Sequence, residues 1–166
     1  MIDIADIAAL GERLGQELAV SEWIEVTQER IDRFADATED RQWIHVDTAR
    51  AQAESPFGAT VAHGFLTLSL VGALLRVAIA IHGVGLTVNY GLNRVRFVAP
   101  LPAGSRIRGR FTPVTARHAG GGIDVTWSGT VELEHGDKPC CVAEWIVRYY
   151  ITTEDTEDTE GAEVQP

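Results

Sequence analysis

The chain has 166 residues, 45% of them hydrophobic and 23% charged, one domain's worth of an ordinary globular composition, which excludes a multidomain assembly and a wholly disordered chain. Its 24 acidic and 14 basic residues give a net charge of −10, and an acidic chain without clustered cations is excluded as a nucleic-acid surface. Six of those carboxylates fall in residues 153–166, so residues 1–152, read as a single domain, carry only −4; the Thr-Glu-Asp repeat beyond them reads as an acidic, disordered tail.

Ile2 to Leu14 reads as a weakly amphipathic helix, with Asp3, Asp6, Glu12 and Arg13 among its apolar residues. That mixture lacks the basic and then apolar layout of an export signal, so a cytoplasmic protein is expected. Glu17 to Val26 reads as extended. Thr27 is a good N-cap, and Ile31, Phe34 and Ala35 recur at helical spacing, which predicts a helix from about Gln28 to Ala37. Glu39 to Ala62, broken by Pro56 and Gly58, reads as an irregular functional loop.

From His63 to His82 the chain is apolar almost all round, the pattern of a helix covered on most sides, with Gly83 placed to end it. Thr67, Ser69 and a central Arg76 make it a buried helix rather than a membrane span. Leu86–Val98, Ser105–Arg117, Ile123–Glu134 and Pro139–Ile151 then read as four strands separated by Gly- and Pro-rich turns. The order predicts an α+β domain: an antiparallel meander, with residues 17–26 as a fifth strand, wrapped around one long buried helix. One helix cannot cover every sheet edge, so a homodimer is expected. Cys140 and Cys141 are sequence neighbours and form no disulfide framework.

The residues fit for chemistry cluster in the loop and at the mouth of the apolar helix. Asp40 and His45 stand five residues apart, and His63-Gly64 follows eighteen residues later. A carboxylate and an imidazole can converge on one water and share proton transfer near neutral pH. The same spacing also fits an Asp capping a loop beside a half-buried histidine. Asp40, His45 and His63 show no recurring ligand spacing, so no metal is expected, and no Gly-rich phosphate loop calls for a nucleotide cofactor. His82, His118 and His135 read as exposed turn residues.

A wider pattern narrows these choices. Thr38-x-Asp40, Trp43-Ile44-His45-x-Asp47, Pro56-Phe57-Gly58, Ala62-His63-Gly64, Ser69, Asn89-Tyr90-Gly91-Leu92-Asn93 and Arg96-Phe97-x-Ala99-Pro100 together resemble the MaoC-like dehydratases, the (R)-specific enoyl-CoA hydratases, and within them the nodulation-protein-N-like branch. The likeness spans roughly residues 15–152 and implies a hot-dog fold. It further implies a hydro-lyase without cofactor, which adds water to a trans-2-enoyl thioester of coenzyme A or acyl carrier protein through Asp40 and His45. Gly64 is implied as the source of an oxyanion N–H, with His63 and Ser69 behind the dyad and Gln42, Trp43, Asn89, Tyr90 and Asn93 as pocket residues. Glu39 stands where the family usually has Gly; turned inward, it would raise the pKa of the neighbouring acid. Arg94, Arg96, Arg106, Arg108 and Arg110 are candidates for coenzyme A phosphates, though alternating charges on a strand also make a solvated face. Two other readings are an acyl-thioester binding protein without catalysis and a hot-dog thioesterase. The second lacks its catalyst, since Gly64 to His82 contains no Asp or Glu.

Overall fold

A computed structural model describes residues 1–152 of the chain; the acidic segment 153–166 lies outside the described residues. Among the described residues, five helices and eight strands follow in the order β1 (Ile2–Ile4), α1 (Ile7–Gly11), β2 (Ala19–Val20), β3 (Ile24–Val26), α2 (Gln28–Thr38), α3 (Trp43–Val46), α4 (Thr48–Glu54), α5 (Gly64–Ala78), β4 (Ile79–Ile81), β5 (Val84–Arg96), β6 (Ser105–Ala119), β7 (Gly122–Leu133) and β8 (Cys141–Ile151). The larger sheet runs β2-β6-β7-β8-β5, with β3 also paired to β6, and all of its pairings are antiparallel.

Side-chain alternation commits one face of this sheet to α5. Ile107 and Phe111 on β6, Val125, Trp127 and Val131 on β7, and Val147 and Tyr149 on β8 are buried at every second position. They meet a stripe of α5 made by Leu66, Val71, Leu74, Leu75 and Ala78. A Cβ at Gly109 would stand 2.5 Å from the Phe111 ring and 3.0 Å from Leu74, so glycine is what lets helix and sheet close up there. Trp127 buries its indole and still donates Nε1–H to the Tyr149 hydroxyl at 3.0 Å. Burial holds the Cys140 and Cys141 thiols up at about 12 and about 11, and both cysteines are free.

The opposite face is charged. Arg106 pairs with Glu134, Arg108 with Glu132, and Arg110 with Glu17 and Glu132. Three of the five candidate phosphate arginines are thus engaged by carboxylates of their own sheet, whereas Arg94 and Arg96 have no carboxylate partner among the described residues.

Several local expectations need correction. Ile2–Ile4 is not the start of a helix: it pairs in parallel with Ile79–Ile81, and Asp6 then caps α1 by accepting from the Ala9 N–H at 2.7 Å. The apolar helix stops at Ala78, because Ile79 turns extended to form β4 against β1; Gly83, with φ of +72°, turns β4 into β5. The 39–62 segment contains α3 and α4, the second capped by Asp47, which accepts from the Arg50 N–H. The extended stretch 17–26 divides into β2 and β3, and between them Ser21 exchanges hydrogen bonds with the Gly109 backbone.

The meander holds for β6, β7 and β8 only. β5 lies beyond β8 at the far edge, since residues 97–104 form no tight turn but cross the molecule and bond to residues 60–62. Nor is α5 covered on most sides within one chain: Phe65 and Val77 are 69% and 57% exposed.

Candidate active site

Asp40 is positioned by the end of α2. Thr27 caps the start of that helix, accepting from the Arg30 N–H, and Glu39 closes it in the left-handed conformation at φ of +61°. That turn breaks the helix direction and leads directly into Asp40, whose side chain is exposed. Glu39 is exposed too, so it is not turned inward as the sequence allowed.

His45 sits in α3, 7% exposed. Its Nδ1–H donates to the Val61 carbonyl at 2.6 Å; a carbonyl only accepts, so in the neutral ring Nδ1 keeps the proton and the lone pair is at Nε2. Gln28 at the start of α2 braces the same residue from behind. It donates to the His45 carbonyl at 2.7 Å and to Asp32, and accepts from the Thr60 hydroxyl. Nothing in the sequence singled out Gln28, because its partners lie 17 and 32 residues away.

His63, 3% exposed, is the N-cap residue of α5. Its Nε2–H donates to the Asp40 backbone carbonyl at 2.8 Å, and its ring stacks on His45 with centroids 3.7 Å apart and planes 25° from parallel. Phe34 of α2 packs on it at 5.1 Å. The ligating atoms of Asp40, His45 and His63 all lie within 4.8 Å of one another, so the structure brings together three residues whose sequence spacing showed no metal-ligand pattern. As a metal set they fit poorly. Imidazole lone pairs lie in the ring plane, and two nearly parallel planes 3.7 Å apart do not converge on one ion.

The His45 imidazole is held below its ordinary pKa of 6.5, chiefly by burial; the Val61 bond opposes this, the neighbouring His63 adds to it, and Asp40 opposes it again. A neutral His45 with a bare Nε2, beside a carboxylate, is built to take a proton from a water. The amide N–H of Gly64 lies in the first turn of α5, where no intrahelical acceptor exists and where the helix dipole favours developing negative charge. Gly64 is also a close approach: a Cβ there would stand 2.7 Å from the Phe97 ring.

Ser69 lies farther along α5, with its hydroxyl donating back to the Phe65 carbonyl at 2.7 Å, so in this chain it does not touch the dyad. It lines a cavity of about 320 Å³ with Leu68, Asn89, Tyr90, Leu92 and Trp145. A second cavity of about 670 Å³ shares Ser69, Asn89 and Trp145 and continues to Arg76, the only charged side chain that lines it. Asn89 and Tyr90 thus line a cavity. Asn93 is not among the residues lining either cavity, because bulges at 89–91 and 92–94 break the alternation that would have put it beside Asn89. Gln42 is exposed at the start of α3, and Trp43 is stacked under the Arg50 guanidinium at 4.3 Å.

The model of the MaoC like domain matches residues 9–134. The 3-hydroxyacyl-thioester dehydratase Z of Mycobacterium tuberculosis is 52% identical over 148 residues, which is 88% of this chain and 95% of that protein. Nodulation protein N of Rhizobium leguminosarum bv. viciae is 48% identical over 147 residues, 87% of this chain and 89% of that one. Among solved structures, an unliganded (R)-hydratase of Pseudomonas aeruginosa superposes with a TM-score of 0.67 at 21% identity, covering 92% of this chain and 90% of that chain. An (R)-hydratase of A. caviae superposes at 0.66 with 19% identity, covering 84% and 96%. The architecture is that of the hot-dog fold, and the chain belongs to the MaoC-like family.

Proposed function

We propose that this protein is a hydro-lyase that adds water to a trans-2-enoyl thioester to give the (R)-3-hydroxyacyl thioester, or runs the reverse dehydration. The observation that carries the reading is the neutral, buried His45 with its Nε2 lone pair free beside the Asp40 carboxylate. A water held by both loses a proton to His45 as its oxygen bonds the β-carbon. Negative charge moves to the thioester oxygen, where the Gly64 N–H receives it, and a proton returned to the α-carbon restores the dyad. The addition is redox-neutral, so it needs no oxidant or reductant. The dehydratase named among the relatives acts on this class of thioester.

A homodimer completes this reading. β5 is an edge strand of 13 residues with Leu86, Val88, Tyr90 and Leu92 exposed, and the uncovered side of α5 adjoins it. A second copy along β5 would wall the two cavities that open beside Ser69. Two free, buried cysteines and the absence of any helix long and apolar enough to cross a membrane among the described residues fit work in the cytoplasm.

The test is loss of the enoyl-thioester ultraviolet absorbance with purified protein and trans-2-enoyl-CoA substrates of increasing length. Asp40→Asn and His45→Asn are each expected to lower kcat by about 10²–10⁴-fold, the usual worth of a positioned acid or base, while the fold persists. Binding of the thioesters without turnover by the unaltered protein would instead show a binding protein.

A further inference from the structure

We propose that His63 is a positioning residue: one ring sets the spacing of Asp40 and His45, by its hydrogen bond to the Asp40 backbone and its stack on the His45 imidazole. The proposal rests on the hydratase reading for its consequence in catalysis, but its geometry stands apart from it.

Four observations converge on this role. His63 occupies the N-cap of α5 yet makes no capping bond, so the ring does not serve the helix it precedes. Its Nε2–H reaches 23 residues back to the Asp40 carbonyl. On the α2 side, Asp40 is preceded by a left-handed residue, and the neighbouring Arg41–Asp36 ion pair is exposed, so the His63 bond is a partly buried tether of that turn. The ring face lies on His45, whose own orientation is otherwise fixed only at Nδ1.

A further observation is a cost. His63 Nδ1 is buried with no hydrogen-bond partner among the described residues. A buried polar atom left unpaired costs stability. Beside Phe34, a phenylalanine would fill the same space without that cost, so packing alone does not account for an imidazole here. What the imidazole adds is a donor aimed at one half of the dyad on a flat face pressed against the other half.

The stack also bears on the charge of His45. The elements packed around His45 bring Asp32 of α2, held by Gln28; Asp40; His63; and Asp47 and Arg50 at the start of α4. Of these, His63 acts to lower the His45 pKa and Asp40 to raise it. Removing the imidazole at 63 therefore moves His45 upward.

The experiment compares the full chain with His63→Gln, which keeps a donor in reach of the Asp40 carbonyl but loses the ring, and His63→Phe, which keeps the flat face but loses the donor. Steady-state kinetics on a short trans-2-enoyl-CoA, thermal midpoints and carbon-labelled imidazole NMR of His45, assigned through His45→Asn, are the readouts. Each variant is expected to lose about 10–100-fold in kcat with KM changed less than about twofold, the signature of reacting groups displaced by about an ångström. In His63→Gln the His45 titration midpoint rises, and the acid limb of the kcat/KM profile moves up with it. A merely structural role would lower the thermal midpoint and leave kcat per folded molecule in place; that result overturns the proposal. Should His63→Gln not fold, unchanged kcat in His63→Phe overturns it and a loss there upholds it. Absent turnover in the unaltered protein would sink the hydratase reading, and the positioning role would then be upheld by His45 ring resonances displaced in both variants and overturned by resonances unmoved in His63→Phe.

Discussion

The two edges of the large sheet are finished in opposite ways. At the β6 edge the chain closes the sheet itself: β2 and β3 pair with β6, and Arg106, Arg108 and Arg110 lay a row of ion pairs across the outer face. At the other edge, β5 pairs with β8 on one side only, and exposed Leu86, Val88, Tyr90 and Leu92 stand along it. Short strands and charge blunt an edge, whereas a long apolar edge invites pairing. The first edge serves the fold of one chain; the second is what a second copy would use, and it is the edge that borders both cavities.

The largest effect is expected where that contrast is broken. Leu86→Lys combined with Val88→Lys places like charges on β5 without touching a cavity wall, and should halve the mass measured by light scattering and lower hydratase activity at least about tenfold, with the thermal midpoint of the monomer little changed. A dimer of undiminished mass would move the interface off β5. Between the edges, Trp127→Ala should cost about 3–5 kcal/mol in denaturant unfolding, since it empties the centre of the core and unpairs the Tyr149 hydroxyl.

Smaller effects sharpen the contrast from the closed face. Arg148 grips Asp124 through two hydrogen bonds at 2.6 and 2.8 Å, and this bond holds the Asp124 carboxyl below its ordinary value. A carboxylate depressed in the folded state adds stability that is present above about pH 4 and is lost as pH falls through the depressed value. Asp124→Asn should therefore narrow its gap to the parent protein in acid, as read by thermal melts between about pH 7 and pH 3. Smallest of all, Glu39→Gly should raise stability by about 1 kcal/mol, because an L-residue is strained at φ of +61° and glycine is not. A loss of stability there would show that the Glu39 side chain does something its exposure hides.

What was legible in the sequence was local. Thr27 announced α2, and alternation announced β6, β7 and β8 to within a few residues, because caps and period-two patterns act between near neighbours. The pairing of Ile2–Ile4 with Ile79–Ile81 was hidden, since three residues carry no periodicity and the partner is 77 positions away. The end of α5 was hidden for a related reason: Ile79-Ala80-Ile81 continues the apolar run without Gly, Pro or a capping residue. A signal for α4 does exist, in the Asp47 cap followed by Ala, Gln and Glu, but Pro56 and Gly58 close behind it mask so short a helix. At the site, the spacing of Asp40 and His45 was visible, but the stack of His63 on His45 was not, since stacking is decided by where α5 begins relative to α3. Ser69 illustrates the limit from the other side, with a hydroxyl bonded to its own helix and a position on the cavity wall.

Phe97 carries a consequence that reaches beyond its own packing. It follows the last residue of β5 by one position, and its ring occupies the space a side chain at Gly64 would need, one residue from His63. The strand that would hold two copies together is thereby bolted to the residue beside the stacked imidazoles. Where two copies pair along β5 as proposed, diluting the protein until they part would slacken that bolt, and a specific activity that falls on dilution before any helix melts is the expected sign.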